Sequence, residues 1–455
     1  MPNGEGTRSP ASYAQRSMWA AAQRHRGAAL NVMILPWRVR GPLNRGVLES
    51  ALADLCARHP TLRARLALVD GQLVQLVETA GPVTMAVSVP QTDTAESGLP
   101  AAIEQLRELG RQPMDLATGP LVKIQLLQLA TDDHILCFFV HHAMCDGWSG
   151  QVLVRDLAAF YESRAQGYEA AMPPLTEQYA DFAAAQFRTF DSGGYAVEIE
   201  YWRKELADIP LPMALPTLAP RKGNRDLRCL SPTHHEPAPV LDAIRGYARS
   251  RRVTAFSVLL ASLSVLLHER TGAEDLLIGV STINRWHHNS LQFVGCATNL
   301  LPARIRLHGD MDFGELCKQV SATLRRLLAY GRIPLELVLR ETPLSKIPGP
   351  VMSVWCQSRE AAPATRVDSA GLSLTPFLIE RAALLTELEV DMLESPEGLA
   401  CEFAHRPALF EDSLIRSLMA GYGAIIRAVP SEPAWLVQDL CRKSQPRRQS
   451  KPHGP

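Results

Sequence analysis

The run HILCFFV at residues 134–140 constrains the fold of this chain more than any other segment. It is apolar almost throughout, the pattern of a strand buried on both faces of a sheet and not of one that alternates between core and water. Upstream, LVKIQLLQLA at 121–130 reads as another strand, with Thr131, Asp132 and Asp133 as the hairpin turn between the two. Downstream, QVLVRDLAAFYE has apolar positions at helical spacing. FFVHHAMCDGWSG at 138–150 is therefore a strand–loop–helix junction that carries two adjacent histidines, an aspartate and a glycine.

The same alternation of elements runs through the rest of the chain. SYAQRSMWAAAQ predicts a helix behind a Ser12 cap, and Asn44 to Arg58 predicts one whose apolar face is Val47, Leu48, Ala51, Leu52 and Leu55. LVQLVE at 73–78 reads as a strand, and prolines and glycines at 173, 174, 193 and 194 bracket the helical TEQYADFAAAQF. The proline-dense IPLPMALPTLAP at 209–220 marks a linker. Beyond it come helices within 240–270, strands at 276–281 and 300–307, and a helix at 313–330. Strand candidates VMSVWCQ, LTELEVDML and LACEFAH follow, then a helix from Ser413 to Ala428. Two α/β lobes of similar size are expected, 11–205 and 226–440, joined by a linker at 206–225. Residues 1–10 and the basic, proline-rich 441–455 are expected to be disordered.

Bulk properties exclude several function classes. A chain of 455 residues is long enough for roughly two to four domains with proper cores. Its 47 basic and 47 acidic residues, with 6% aromatics, leave no electrostatic footprint for nucleic acid. No uncharged apolar stretch reaches the roughly 18–20 residues of a membrane span, and the polar start MPNGEGTRSP is not a classical export signal. The odd number of scattered cysteines, without C-x-x-C pairs, predicts a reduced, cytoplasmic setting. Cys137, Cys356 and Cys401 lie in apolar runs as small core hydrophobes.

The histidine pair admits several chemistries. On a strand the side chains of His141 and His142 leave opposite faces, so they do not easily share a metal ion, and no H-x-x-x-H or C-x-x-C partner is present. A metal site is disfavoured. GVSTI at 279 and GWSGQ at 147 both lack the closing glycine of a nucleophile elbow, which removes the best case for covalent catalysis. What remains is a general base at the end of a central strand, or two structural histidines; on this stretch alone the two stand even. Asp146 forks in the same way, into an orienter of histidine or a structural partner of a cation.

HHAMCDG fits H-H-x-x-x-D-G, and in that context the chain resembles the condensation domains of nonribosomal peptide synthetases, which share fold and histidine motif with chloramphenicol acetyltransferase. The other signatures occur in order: SYAQRSMW at 12–19, RHPTLRARL at 58–66, QYADFAAAQ at 178–186, YWRKEL at 201–206, IGVSTINR at 278–285, VGCATNLLPARI at 294–305, IPLELVL at 333–339 and GLACEFAHRPALF at 398–410. The resemblance covers about residues 10–428. It implies two acetyltransferase-like lobes in a V-shaped pseudo-dimer with an active-site tunnel between them. His142 would face that tunnel as general base or positioning group, and His141 would be structural. Asp146 would pair with Arg285, and the Gly147 N–H would be a candidate oxyanion donor. Trp148, Ser149, Cys296 and Asn299 would be the candidate tunnel residues, although Asn299, like Arg63, sits on a motif position read first as structural.

Departures from the pattern are specific. Trp148 and Ser149 match peptide-forming members and not cyclising ones. Cys296 and Ala297 replace bulkier residues, which would widen the tunnel floor, and Leu384-Leu385-Thr386 replaces a Phe-Asp-Leu. The implied reaction is transfer of an aminoacyl or acyl group from a carrier-protein phosphopantetheine thioester to an amine or alcohol, with no bound cofactor or metal. The implied partners are an acyl or peptidyl carrier protein acting in trans and a small-molecule or carrier-bound acceptor. If the chain is complete, the enzyme is free-standing. The rivals are a CoA-dependent acyltransferase, a recruitment module without catalysis, and an epimerising relative.

Overall fold

The computed structural model describes residues 7–78, 84–90, 98–209, 213, 215–218, 220, 221, 225–347, 351–360, 366–432 and 434–445. The first half runs β1 (Thr7–Pro10), α1 (Tyr13–Arg24), β2 (Val32–Arg40), α2 (Arg45–Arg58), β3 (Ala64–Val69), β4 (Gln72–Val77), β5 (Met85–Ser88), α3 (Gly98–Gly110), β6 (Val122–Ala130), β7 (Asp133–His141) and α4 (Gly147–Gln166). Two helices follow, α5 (Tyr179–Asp191) and α6 (Ala196–Glu205). The second half runs β8 (Thr233–Pro237), α7 (Ala238–Arg251), α8 (Ala255–Thr271), β9 (Asp275–Thr282), β10 (Asn299–Arg306), α9 (Phe313–Ala329), α10 (Leu335–Glu341), β11 (Val354–Glu360), β12 (Val367–Ser369), β13 (Leu372–Pro376), β14 (Leu388–Ser395), β15 (Gly398–His405), α11 (Asp412–Ala428) and α12 (Val437–Ser444).

Two mixed sheets organise the lobes. The first has the order β12-β13-β2-β7-β6-β5, the second β10-β9-β11-β14-β15-β8, and β1, β4 and β3 form a smaller sheet. β7 lies between β2 and β6. Its Leu136, Phe138 and Val140 pack with α2 and α4, while Ile135, Cys137 and Phe139 pack with Ala102 and Leu106 of α3. With helices on both faces every position from His134 to His141 is buried, which is why the sequence lacks alternation. The second sheet buries its core face under α7, α8, α9 and α11. Among the described residues no single helix is long and apolar enough to cross a membrane.

Local caps set several boundaries. Ser12 and Gln15 make a reciprocal capping box on α1, Asn44 accepts from Val47 N on α2, and Gly167 closes α4 in the left-handed conformation. Gly398, at φ +137, starts β15 where a Cβ would lie 2.1 Å from the Glu236 carbonyl oxygen, so the pairing with β8 demands glycine there.

The structure corrects the expected domain limits. Thr7–Pro10, expected to be disordered, is a strand because its backbone pairs with the free edge of β4; residues 1–6 lie outside the described residues. The expected disordered tail from 441 overlaps α12, which seats Val437 and Leu440 in the second core; residues 446–455 lie outside the described residues, as do 210–212, 214, 219 and 222–224 of the expected linker. Nor do the lobes keep to the expected limits of 11–205 and 226–440. Trp202 of α6 and Leu206 after it belong to the second core, and β12 and β13, from the second half, extend the first sheet. β2 has no counterpart among the sequence-based strands because Pro36 interrupts it. The Pro36 carbonyl accepts from Phe377 N, just beyond the end of β13, so the missing N–H falls where the neighbouring ladder has stopped.

Candidate active site

β7 ends at His141, and His142 begins a 3-10 turn, His142–Met144. The two imidazoles part company there. His141 is 2% exposed, and its Nδ1 accepts from Ala143 N at 3.1 Å, which places the ring proton on Nε2. Burial first, and the neighbouring His142 second, push its pKa down to about 3. It is a neutral, structural histidine. His142 is only half-buried, whereas Ala143, Met144, Cys145 and Asp146 after it are all buried. Gly147, the first residue of α4, is exposed, and a Cβ there would meet nothing within 4 Å. Its N–H belongs to the group at a helix start that has no intrahelical acceptor, at the positive end of the dipole.

Asp146 caps α4 and organises the junction. Its Oδ1 accepts from Ser149 N at 2.8 Å and Ser149 Oγ at 2.7 Å. Its Oδ2 accepts from Ala297 N at 3.0 Å and Thr298 N at 3.2 Å, both in the segment between β9 and β10. From the same segment, Arg285 Nη2 lies 3.0 and 3.1 Å from the two carboxylate oxygens, and both side chains are 0% exposed. Arg285 also donates to the carbonyls of Ser290, Phe293 and Gly295, with its guanidinium over the Phe293 ring. A buried charge needs this degree of compensation.

Trp148 is half-buried and donates from Nε1 to Leu291 O at 2.9 Å, a further tie between lobes. Two residues expected as tunnel candidates have their side chains buried and bonded within the protein. Ser149 is fully buried, its Oγ shared among Asp146, Arg285 and the Gly295 backbone. Asn299 donates to Gly331 O and Ile333 O and accepts from Leu335 N, which pins the start of α10. Their polar groups are consumed inside the protein, leaving none for a ligand. Cys296 is 3% exposed and does not open a floor; its Sγ lies 3.5 Å from His142 Nδ1. Arg63 bonds the carbonyls of Cys56 and Glu78 in the smaller sheet's surroundings, a structural role.

Three residues important to this geometry were read in the sequence only as helix or motif positions. Gln15, fully buried on α1, donates to Ala143 O at 3.0 Å and so steadies the turn that carries His142. Tyr179, fully buried, donates to Cys296 O at 2.9 Å and bonds Ser12 Oγ at 2.8 Å. Gly295 lies so near the Tyr179 ring that a Cβ would come within 2.2 Å of it. A polar group on the apolar face of a helix is the signal by which the first two could have been found.

Comparison with known proteins places this geometry in context. A family model described as "Condensation domain" matches residues 6–448. An isonitrile lipopeptide synthase of Mycobacterium tuberculosis is 32% identical over 454 residues, covering 95% of this chain and 18% of its own length. The chain thus spans about a fifth of that relative. The X-domain from teicoplanin biosynthesis, also solved in complex with OxyB, superposes at a TM-score of 0.83 with 25% identity, covering 96% of this chain and 98% of the other. The starter condensation domain of rhizomide synthetase, solved with C8-CoA, superposes at 0.80 with 20% identity over 95% of this chain and 97% of the other.

Proposed function

The chain belongs to the condensation-domain family, and on that premise we propose that it transfers an acyl or aminoacyl group from a carrier-protein phosphopantetheine thioester to an amine or alcohol, forming an amide or ester. Members of this family are generally acyltransferase-type enzymes of natural-product assembly that work on carrier-bound substrates and bring no cofactor of their own. The observation that carries the reading is the half-buried His142 at the lobe junction, one turn before an exposed helix start at Gly147. In this reading His142 Nε2 handles the proton of the attacking nucleophile, and the Gly147 N–H meets the developing oxyanion. The attack is direct: Ser149 is locked in the Asp146 network, and burial pushes the Cys296 thiol well above its usual pKa, so neither is a ready nucleophile.

The C8-CoA held by the rhizomide relative makes free acyl-CoA the rival donor. The OxyB complex of the teicoplanin relative raises a second reading, recruitment of a partner enzyme without catalysis. One assay separates all three. The protein is incubated with acyl and aminoacyl groups loaded on a carrier protein or on CoA, with mixed amine and alcohol acceptors, and products are read by mass spectrometry. Carrier-dependent product that falls by roughly 10²–10⁴ in His142→Ala, with the fold retained, supports the proposal. Product at the wild-type rate in His142→Ala ends the assignment of that residue, and loaded carrier bound without turnover favours recruitment.

A further inference from the structure

Among the described residues no carboxylate hydrogen-bonds the ring of His142. In a catalytic triad an acidic side chain holds the second ring nitrogen and fixes the tautomer. Here Asp146, the carboxylate at the junction, is occupied by Arg285, by Ser149 and by the Ala297 and Thr298 N–H groups. What meets His142 Nδ1 is the sulfur of Cys296, at 3.5 Å and from the other lobe.

That sulfur is held on every side. Tyr179 grips the Cys296 carbonyl, Ser149 and Arg285 hold Gly295 before it, and Asp146 holds Ala297 and Thr298 after it. Cys296 cannot drift from the ring unless this whole segment moves. Burial, with Asp146, Cys145 and Glu336 adding to it and Arg285 opposing, keeps the thiol protonated. A neutral thiol is a weak donor through S–H and a weak acceptor through sulfur. As the acceptor from Nδ1–H it favours the tautomer that leaves the Nε2 lone pair outward, the one a general base needs.

We propose that Cys296 is a positioning residue for His142: its thiol holds the imidazole by Nδ1, sets the tautomer, and presents Nε2 to the reacting centre. This rests on the reaction proposed above, but part of its test does not. The variants are Cys296→Ala, which removes the partner, and Cys296→Ser, which keeps a donor and acceptor. Protein labelled with ¹⁵N in the histidine rings is examined by long-range ¹H–¹⁵N correlation, the His142 signals being identified by their loss in His142→Ala. One dominant His142 tautomer is expected in the wild type and in Cys296→Ser, and a mixture in Cys296→Ala. Carrier-dependent turnover should lose about 3–10-fold in kcat in Cys296→Ala with KM unchanged, the size of one hydrogen bond, and recover in Cys296→Ser. An unchanged tautomer ratio in folded Cys296→Ala overturns the proposal whether or not the protein is an enzyme. So does an acyl adduct on Cys296 in intact-mass spectra, which would make the thiol a nucleophile. Should Cys296→Ala fail to fold, Cys296→Val supplies an apolar side chain of closer volume for the same two measurements.

Discussion

Removing the Asp146 carboxylate tests whether the aspartate of HHAMCDG braces the site or takes part in the chemistry. Asp146→Ala strips Arg285 of its counter-charge, removes the cap of α4, and leaves the Ala297 and Thr298 N–H groups without their acceptor. Breaking a buried ion pair from one side costs about 3–5 kcal/mol, and the lost cap about 1 kcal/mol of overlapping effect. Arg285→Ala should cost less, about 2–3 kcal/mol, because Asp146 keeps three backbone donors and the Ser149 hydroxyl. Asp146→Asn keeps a cap and should fall between them. The double variant Asp146→Ala with Arg285→Ala should lose at least about 1 kcal/mol less than the sum of the singles, since the second deletion removes the charge that the first exposed. Urea unfolding followed by circular dichroism gives the stabilities, and the carrier-dependent assay run on the same samples gives the activities. An Asp146→Ala protein as stable as wild type but inactive would refute the brace and return the aspartate to the chemistry. Additive single losses would refute the pairing as the source of the cost.

Two further outcomes follow from the same geometry. Gly147→Pro deletes the N–H assigned to the oxyanion while keeping the helix, because proline suits the first helical position and Asp146 before it is already extended at φ −127, ψ 179; its thermal melt should match wild type while kcat drops by roughly 10²–10³, and wild-type turnover would remove that N–H from the reaction. For pH, the buried His141 has a folded pKa of about 3 against 6.5 when unfolded, so the unfolded chain takes the proton first and stability falls as pH drops from about 6.5 towards 3, by about 1.4 kcal/mol per unit; His59, His134 and His405 shift downward for the same leading reason, burial, and steepen the loss, and His141→Gln should reduce the measured slope by one proton.

Much of the scaffold was legible because its signals are local. The unbroken apolar run of β7, the Ser12 cap, the apolar face of α2 and the β6–β7 turn each depend on residues within a few positions. Three of the strands that escaped notice, β2, β12 and β13, take their place in the sheet from distant partners. β2 carries a proline that is tolerated only because β13, more than 300 residues later, ends beside it. β12 and β13 are short and join the sheet of the opposite lobe, which no periodicity announces. At the site the family resemblance singled out His142, Asp146 and Arg285, but it could not say which polar groups were already consumed. Ser149 and Asn299 carry side chains suited to a ligand, and their hydrogen-bond capacity is spent inside the protein. Cys296 sits in an apolar-looking run, and its tie to His142 depends on how two segments 154 positions apart are folded together.

The site is thereby a property of the junction and not of either lobe. The first lobe supplies the imidazole, the helix start and the carboxylate; the second supplies the guanidinium, the thiol and the backbone donors that bind the carboxylate. The segment between β9 and β10 makes most of these contacts, and Val294 within it packs into the first lobe's core, while Tyr179, Phe293, Cys296 and Ala297 form a small core of their own with Ala14, Met18 and Phe182. A rigid apolar plug and a buried ion pair resist sliding of one lobe on the other better than surface contacts do, because each discrete loss leaves a cavity or an unpaired charge.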